Sequence, residues 1–129
     1  MRTLGIISLP CPNPPELAVR LAVAMREAVA RVTDRWRALG HELGFGIGIA
    51  LGYATLGEVG FSGRYEYAVM GNVCNLASRL CAVAADGQIV ISARVRTAVE
   101  QLAELEHVGD LELKGFHKPV PAANVIALI

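Results

Sequence analysis

An alternation of large and small residues at positions 45–54 constrains the fold more than any other feature of this chain. The large members are Phe45, Ile47, Ile49 and Leu51. The small members are Gly46, Gly48, Ala50 and Gly52. Because successive side chains of a strand point to opposite faces of a sheet, the pattern predicts a strand with one nearly bare face. Another backbone or a helix can approach such a face closely.

The glycines of this segment also follow the spacing GxGxxxG, which can be mistaken for a dinucleotide-binding loop. In such a loop the glycines lie in a turn that leads directly into a helix. Here they lie inside a predicted strand, and no helix signal follows for about twenty residues. The segment is therefore interpreted as a packed strand rather than as a cofactor loop.

Apolar spacing and turn residues predict the other elements. A helix is expected from Asn13 to about Leu39, because apolar residues recur there at helical spacing. Those residues are Leu17, Leu21, Met25 (or Ala24), Ala28, Val32 and Trp36. Further strands are predicted at residues 4–9, 55–60, 64–69, 88–92, 107–114 and 122–129. Helices are predicted from residue 72 to the turn at 86–87 and at 93–102, the latter with Ser92 as N-cap. This order predicts an α+β fold with a largely antiparallel sheet.

Length and composition favour one domain that spans residues 1–129 and has an apolar surface to cover. The formal net charge is +0, so no basic field is available to hold nucleic acid. Hydrophobic residues make up 53% of the chain, yet its longest apolar stretch, residues 17–30, contains three charged residues and predicts no membrane segment. The surplus apolar surface is expected to face another chain. Three cysteines without paired spacing suit a reducing cytoplasm.

The segment at 67–80, YAVMGNVCNLASRL, carries the strongest candidate for chemistry. Asn75 and Arg79 are four residues apart, which places both side chains on one face of the predicted helix. A neutral amide and a fixed cation on a packed helix can orient a substrate and stabilise developing negative charge. An ordinary amphipathic helix has polar residues at the same spacing, so spacing alone leaves both interpretations open.

Five motifs in one order resemble the second half of a class III adenylate/guanylate cyclase catalytic domain, from about residue 10 to residue 129. They are GFGIGIALGYA at 44–54, GEVGFSGRYEYAVMGN at 57–72, NLASRL at 75–80, DGQIVIS at 86–92 and LKGFHKPV at 113–120. The resemblance implies a partial ferredoxin-like cyclase fold, with helices packed on a mostly antiparallel sheet and the first strand and helices missing. It implies that residues 1–129 are a single, N-terminally truncated cyclase homology domain.

The resemblance also implies a reaction and a role for several residues. Class III cyclases convert a nucleoside triphosphate into its 3′,5′-cyclic monophosphate and pyrophosphate, at sites between two protomers. Asn75 matches an asparagine that orients the ribose, and Arg79 an arginine that stabilises the transition state. Lys114 matches a lysine that contacts the phosphates, although a salt bridge or a solvated end is an equal alternative. Ala68 falls at a base-reading position, where its side chain offers no hydrogen bond, and ATP and GTP both stay open.

The chain departs from the family at the residues that bind the metal ions. The family holds two metal ions with two aspartates, whereas the aspartates of this chain are Asp34, Asp86 and Asp110, none of them at a matching place. We therefore expect the chain to hold no cofactor and to be inactive alone, with Mg²⁺ or Mn²⁺ only beside a metal-bearing partner. The partner would be another cyclase domain, in a homodimer or heterodimer. The alternatives are a non-catalytic module that dimerises with a complete cyclase, or an α+β scaffold.

Overall fold

The computed structural model describes residues 13–40, 44–52, 55–61, 64–70 and 72–129, with strands 55–61 and 64–70 described by their backbone. The strand expected at residues 4–9 lies outside this part of the chain. The elements in chain order are α1 (Pro14–Ala38), β1 (Ile47–Ile49), β2 (Thr55–Phe61), β3 (Arg64–Met70), α2 (Asn72–Val83), β4 (Ile89–Ser92), α3 (Ala93–Val99), β5 (Ala103–Leu111) and β6 (Val120–Leu128).

Four of the strands form one mixed sheet in the order β1-β4-β6-β5. β1 pairs with β4 in parallel, with Ile47 opposite Ile89, and the other two pairings of the sheet are antiparallel. β2 and β3 form a separate antiparallel hairpin in which Phe61 lies opposite Arg64. The α+β fold with a mostly antiparallel sheet is therefore confirmed. Of the helices in the described ranges, none is long and apolar enough to cross a membrane.

Predicted boundaries of four elements differ from the structure. β1 is confined to Ile47–Ile49, because its ladder with β4 covers only three residue pairs. α2 ends at Val83, where the following backbone turns so that the Ala85 N–H donates to Oε1 of Gln88 at 2.9 Å. α3 ends at Val99, and β5 already begins at Ala103, four positions before its predicted start.

The sheet carries a hydrophobic core on each face. β4 runs between them, and because strand side chains alternate, Ile89 and Ile91 enter one core while Val90 enters the other. The first core lies under α1 and α3 and contains Val19, Ala22, Val23, Ile89, Ile91, Val95, Val99, Ala103, Ala123 and Val125. The second lies under α2 and contains Leu80, Val90, Leu113 and Ala122.

The residues whose spacing predicts α1 are not those that α1 packs on the sheet. Its buried positions are Val19, Ala22, Val23 and Thr33. On the same side, the guanidinium of Arg26 donates to the carbonyl oxygens of Val125 at 2.8 Å and Ile126 at 2.6 Å. The large apolar side chains of the predicted stripe are more than two-fifths exposed, and we call them the outer stripe: Leu17, Leu21, Met25, Val32 and Trp36.

Candidate functional site

The helix that carries Asn75 and Arg79 is held against the bare face of β1. A Cβ atom at Gly48 would overlap the backbone nitrogen of Cys81 and lie 2.6 Å from the carbonyl oxygen of Ala77. At Gly46 a Cβ would lie 2.8 Å from Cβ of Ala84. The predicted close approach to this face is therefore confirmed, and the approaching element is α2. Close backbone packing of this kind fixes the position of the helix, since neither side has a flexible side chain that can yield.

The rotation of α2 on the sheet places its polar residues outward. Leu80 is fully buried and Leu76 packs half-buried against the second core. Asn75 is exposed and Arg79 is half-buried one turn further on, on the same side of the helix. Neither side chain forms a hydrogen bond or ion pair with another described residue. Among the described residues, nothing therefore occupies the donors of the amide and the guanidinium, which α2 holds on a rigid element.

Lys114 lies in a tight turn on the α2 side of the sheet. The turn is closed by the Phe116 N–H, which donates to the carbonyl oxygen of Leu113 at 3.1 Å, and Gly115 adopts the positive φ of +90° that it requires. Leu113 and Phe116 belong to the same core as α2, whereas the Lys114 side chain is exposed. It borders a shallow cavity of about 420 Å³ that His117 and Lys118 also line.

Of Ala68, the residue at the expected base-reading position, the structure describes the backbone. Ala68 lies in β3, where its Cα pairs with that of Gly57 in β2. Its side chain lies outside the described part, so a role in reading the base stays a prediction.

Two of the three aspartates of the chain lie beside Arg37, and the third is exposed on a strand. Asp86 Oδ2 lies 2.7 Å from Arg37 Nη2, and its Oδ1 accepts the Phe45 N–H at 2.9 Å, so this carboxylate joins the end of α1 to the segment that leads into β1. Asp34 lies 3.8 Å from the same Arg37, and Asp110 is exposed on β5. Among the described residues no three His, Cys, Asp or Glu side chains could hold a metal ion together. These residues do not fit the two-metal centre of a cyclase.

Sequence reasoning missed the structural role of Asp86, which it treated only as a turn residue. The Asp-Gly pair signals the turn, but no local pattern indicates a partner 49 positions away. It likewise missed Arg26, whose carbonyl partners Val125 and Ile126 lie 99 and 100 positions along the chain.

Comparison with known proteins agrees with this arrangement. Residues 8–125 match the adenylate and guanylate cyclase catalytic domain. An uncharacterised protein of Mycobacterium tuberculosis is 34% identical over 124 residues, which are 93% of this chain but 21% of that protein. The adenylyl cyclase CyaB of P. aeruginosa has 32% identity and a TM-score of 0.75, over 84% of this chain and 57% of that one.

A guanylate cyclase domain from Catenaria anguillulae, solved with GTP, matches with a TM-score of 0.80 over 92% of this chain and 63% of that domain's chain. Because the two sequences are 23% identical, this match supports the fold alone. Together with the family match, these similarities place the chain in the class III adenylate/guanylate cyclase catalytic domain family. The chain spans about a fifth of the length of the curated relatives it matches.

Proposed function

We propose that this chain supplies the transition-state half of a class III cyclase site, in a dimer whose other member supplies the metal-binding half. The observation that carries the proposal is the outward pair Asn75 and Arg79, held on α2 by the backbone contact at Gly48. The family reaction would be conversion of ATP, or of GTP, into the 3′,5′-cyclic monophosphate and pyrophosphate. A cytoplasmic location is part of the same proposal.

Each residue of the pair would have a separate role. The Asn75 amide can both donate and accept hydrogen bonds, which suits orientation of the ribose. The guanidinium of Arg79 stays charged and can form two parallel hydrogen bonds to phosphoryl oxygens. Negative charge grows on those oxygens during phosphoryl transfer, so Arg79 would bind the transition state more tightly than the ground state.

The carboxylates of this chain explain why we propose inactivity for the chain alone. Asp34 and Asp86 lie beside Arg37, and Asp110 is exposed on β5. Mg²⁺ or Mn²⁺ would therefore be held by the partner cyclase domain. Lys114, exposed in its turn on the same face of the sheet as α2, would contact the phosphates, and Ala68 would lie near the base.

The second candidate function is a non-catalytic α+β interaction module that dimerises with a complete cyclase. It is favoured by the outer stripe of α1, which leaves a large apolar surface for a partner. Under this alternative Asn75 and Arg79 have no contact with nucleotide, and the cyclase partner keeps its own complete sites.

A rescue assay distinguishes the two functions. The purified chain with ATP or GTP and Mn²⁺ should form no cyclic nucleotide. It should restore activity to the CyaB catalytic domain of P. aeruginosa when the two residues that align with Asn75 and Arg79 are replaced there by alanine. Arg79→Ala should lower the restored rate at least about 100-fold, since one transition-state cation typically contributes that much or more.

Arg94→Ala is the matched control, because Arg94 is an exposed helical arginine on α3 with no hydrogen bond or ion pair to a described residue. The Arg94→Ala variant should restore activity to the same level as the unsubstituted chain. Turnover by the chain alone would contradict the proposed inactivity. Co-purification without rescue would instead favour the interaction module.

A further inference from the structure

The turn that follows α2 is held by contacts from α1 and from the segment that leads into β1. Oδ2 of Asp86 lies 2.7 Å from Nη2 of Arg37, and its Oδ1 accepts the Phe45 N–H at 2.9 Å. The Gly87 N–H donates to the carbonyl oxygen of Phe45 at 2.7 Å. Arg26, also on α1, donates to the carbonyl oxygen of Gly87 at 3.3 Å. The end of α2 is therefore tied both to the helix before it and to the strand beneath it.

The sheet-facing side of α2 sets its distance from β1 directly. Gly48 faces backbone atoms of α2, and Gly46 faces the side chain of Ala84, which follows the last helical residue. These glycines have no side chains that could interlock with the helix and hold it along its axis. Leu80 is the one residue of α2 that is fully buried. The position of α2 along its axis therefore depends on Leu80 and on the contacts at the ends of the helix.

The guanidinium of Arg79 is close to the end that this turn holds. Arg79 lies about one helical turn before Val83, the last residue of α2. Because hydrogen bonds join successive turns of a helix, a shift of the following turn moves Arg79 as well. A catalytic group that is misplaced by about 1 Å can lower a rate on the order of 100-fold.

The pair of Arg37 and Asp86 combines this mechanical position with a small part in stability. The two side chains are 49% and 50% exposed, and ion pairs of that exposure contribute little to the free energy of unfolding. Loss of the pair should therefore change the position of α2 more than it changes the fraction of folded chain. This combination separates a positioning role from a merely structural one.

We propose that Asp86 and Arg37 are positioning residues that set where Arg79 lies along β1, and so where its guanidinium meets the phosphoryl group of a nucleotide. The effect on the reaction rests on the proposed function, whereas the effect on α2 is a property of this chain alone. Asp86 acts only through the helix, because its two carboxylate oxygens bond to Arg37 and Phe45.

Kinetics of the rescue assay test the effect on the reaction, with the substituted CyaB domain in excess. Asp86→Ala removes both contacts of the carboxylate and should lower the restored kcat about tenfold with KM for ATP unchanged, because only the transition state is affected. Asp86→Asn keeps an oxygen for the Phe45 N–H and should lower kcat several-fold. Arg37→Met should match Asp86→Asn, and Arg37→Lys, which keeps the charge, should stay within about twofold of the unsubstituted chain.

Asp34→Asn is the matched control, because Asp34 lies 3.8 Å from the same Arg37 but belongs to α1. It removes the same charge and should leave kcat within about twofold of the unsubstituted chain. Thermal unfolding, followed by circular dichroism, gives the folded fraction of each variant at the assay temperature. An equal kcat in Asp86→Ala and Asp34→Asn would overturn the inference, and so would a loss that only follows the unfolded fraction.

Amide NMR spectra of the chain alone separate this inference from the proposed function. If the unsubstituted chain gives no rescue, the proposed function is wrong, and the spectra still test whether Asp86 positions α2. Asp86→Ala should shift the amide resonances of residues 75–80, whereas Asp34→Asn should leave them in place. Shifts in Asp86→Ala that are confined to the neighbours of Arg37, Phe45 and the turn itself would overturn the positioning of α2.

Discussion

Gly48 is the position where one added methyl group would report most directly on how α2 is held. A Cβ atom there overlaps the backbone nitrogen of Cys81 and approaches the carbonyl oxygen of Ala77 to 2.6 Å. Both are backbone atoms of α2, so no change of rotamer can relieve the overlap. In Gly48→Ala the helix has to move away from β1 by about 1 Å, into a core that is already close-packed.

The expected loss of stability follows from two opposing contributions. Overpacking of this kind costs about 1–3 kcal/mol. The stiffer unfolded chain that alanine produces offsets about 0.4–1 kcal/mol of that. Because the overlap involves backbone atoms, the cost should lie in the upper half of its range, about 2–3 kcal/mol. A net loss of about 1–2.5 kcal/mol in the free energy of unfolding should remain, which lowers Tm by roughly 4–12 °C for a domain of this size.

Thermal and urea unfolding, followed by far-UV circular dichroism, measure this loss. Gly44→Ala is the matched control, because its Cβ would meet only Asp86, at the ordinary contact distance of 3.8 Å. It should leave the free energy of unfolding unchanged or raise it by up to about 1 kcal/mol, because only the stiffer unfolded chain contributes. Gly46→Ala, 2.8 Å from the Ala84 side chain, should fall between the two. Equal stability of Gly48→Ala and Gly44→Ala would refute the close packing of α2 on β1.

Two further predictions concern groups in and near the first core. Arg26→Met should lower the free energy of unfolding by about 1.5–3 kcal/mol, because the charged hydrogen bonds to the carbonyls of Val125 and Ile126 are lost. Urea unfolding measures this loss. The control Arg94→Met should change the free energy of unfolding by no more than about 0.5 kcal/mol. Ser92→Ala should cost nothing or stabilise by up to about 1 kcal/mol, since its buried Oγ has no hydrogen-bond partner among the described residues and does not cap α3. A loss above about 1 kcal/mol in Ser92→Ala would reveal a bond that this reasoning omits.

The candidate site divides into a local part and a long-range part. The shared face of Asn75 and Arg79 follows from four-residue spacing on any helix, so it could be predicted before the structure was known. That Lys114 lies on the same side of the sheet as α2 could not. It depends on Leu113 and Phe116 packing into one core with Leu76 and Leu80, and no local pattern specifies that contact.

The sequence by itself determined the order and type of the described elements and the bare face of β1. These follow from periodicities of about 2 and 3.6 residues, which are properties of neighbouring positions. Only the tertiary structure decided which face of α1 is buried. The helix is apolar on two sides, and the choice rests on distant partners, the carbonyls that bind Arg26 and the core around Val125. The outer stripe remains exposed because only one side of a helix can face the same sheet.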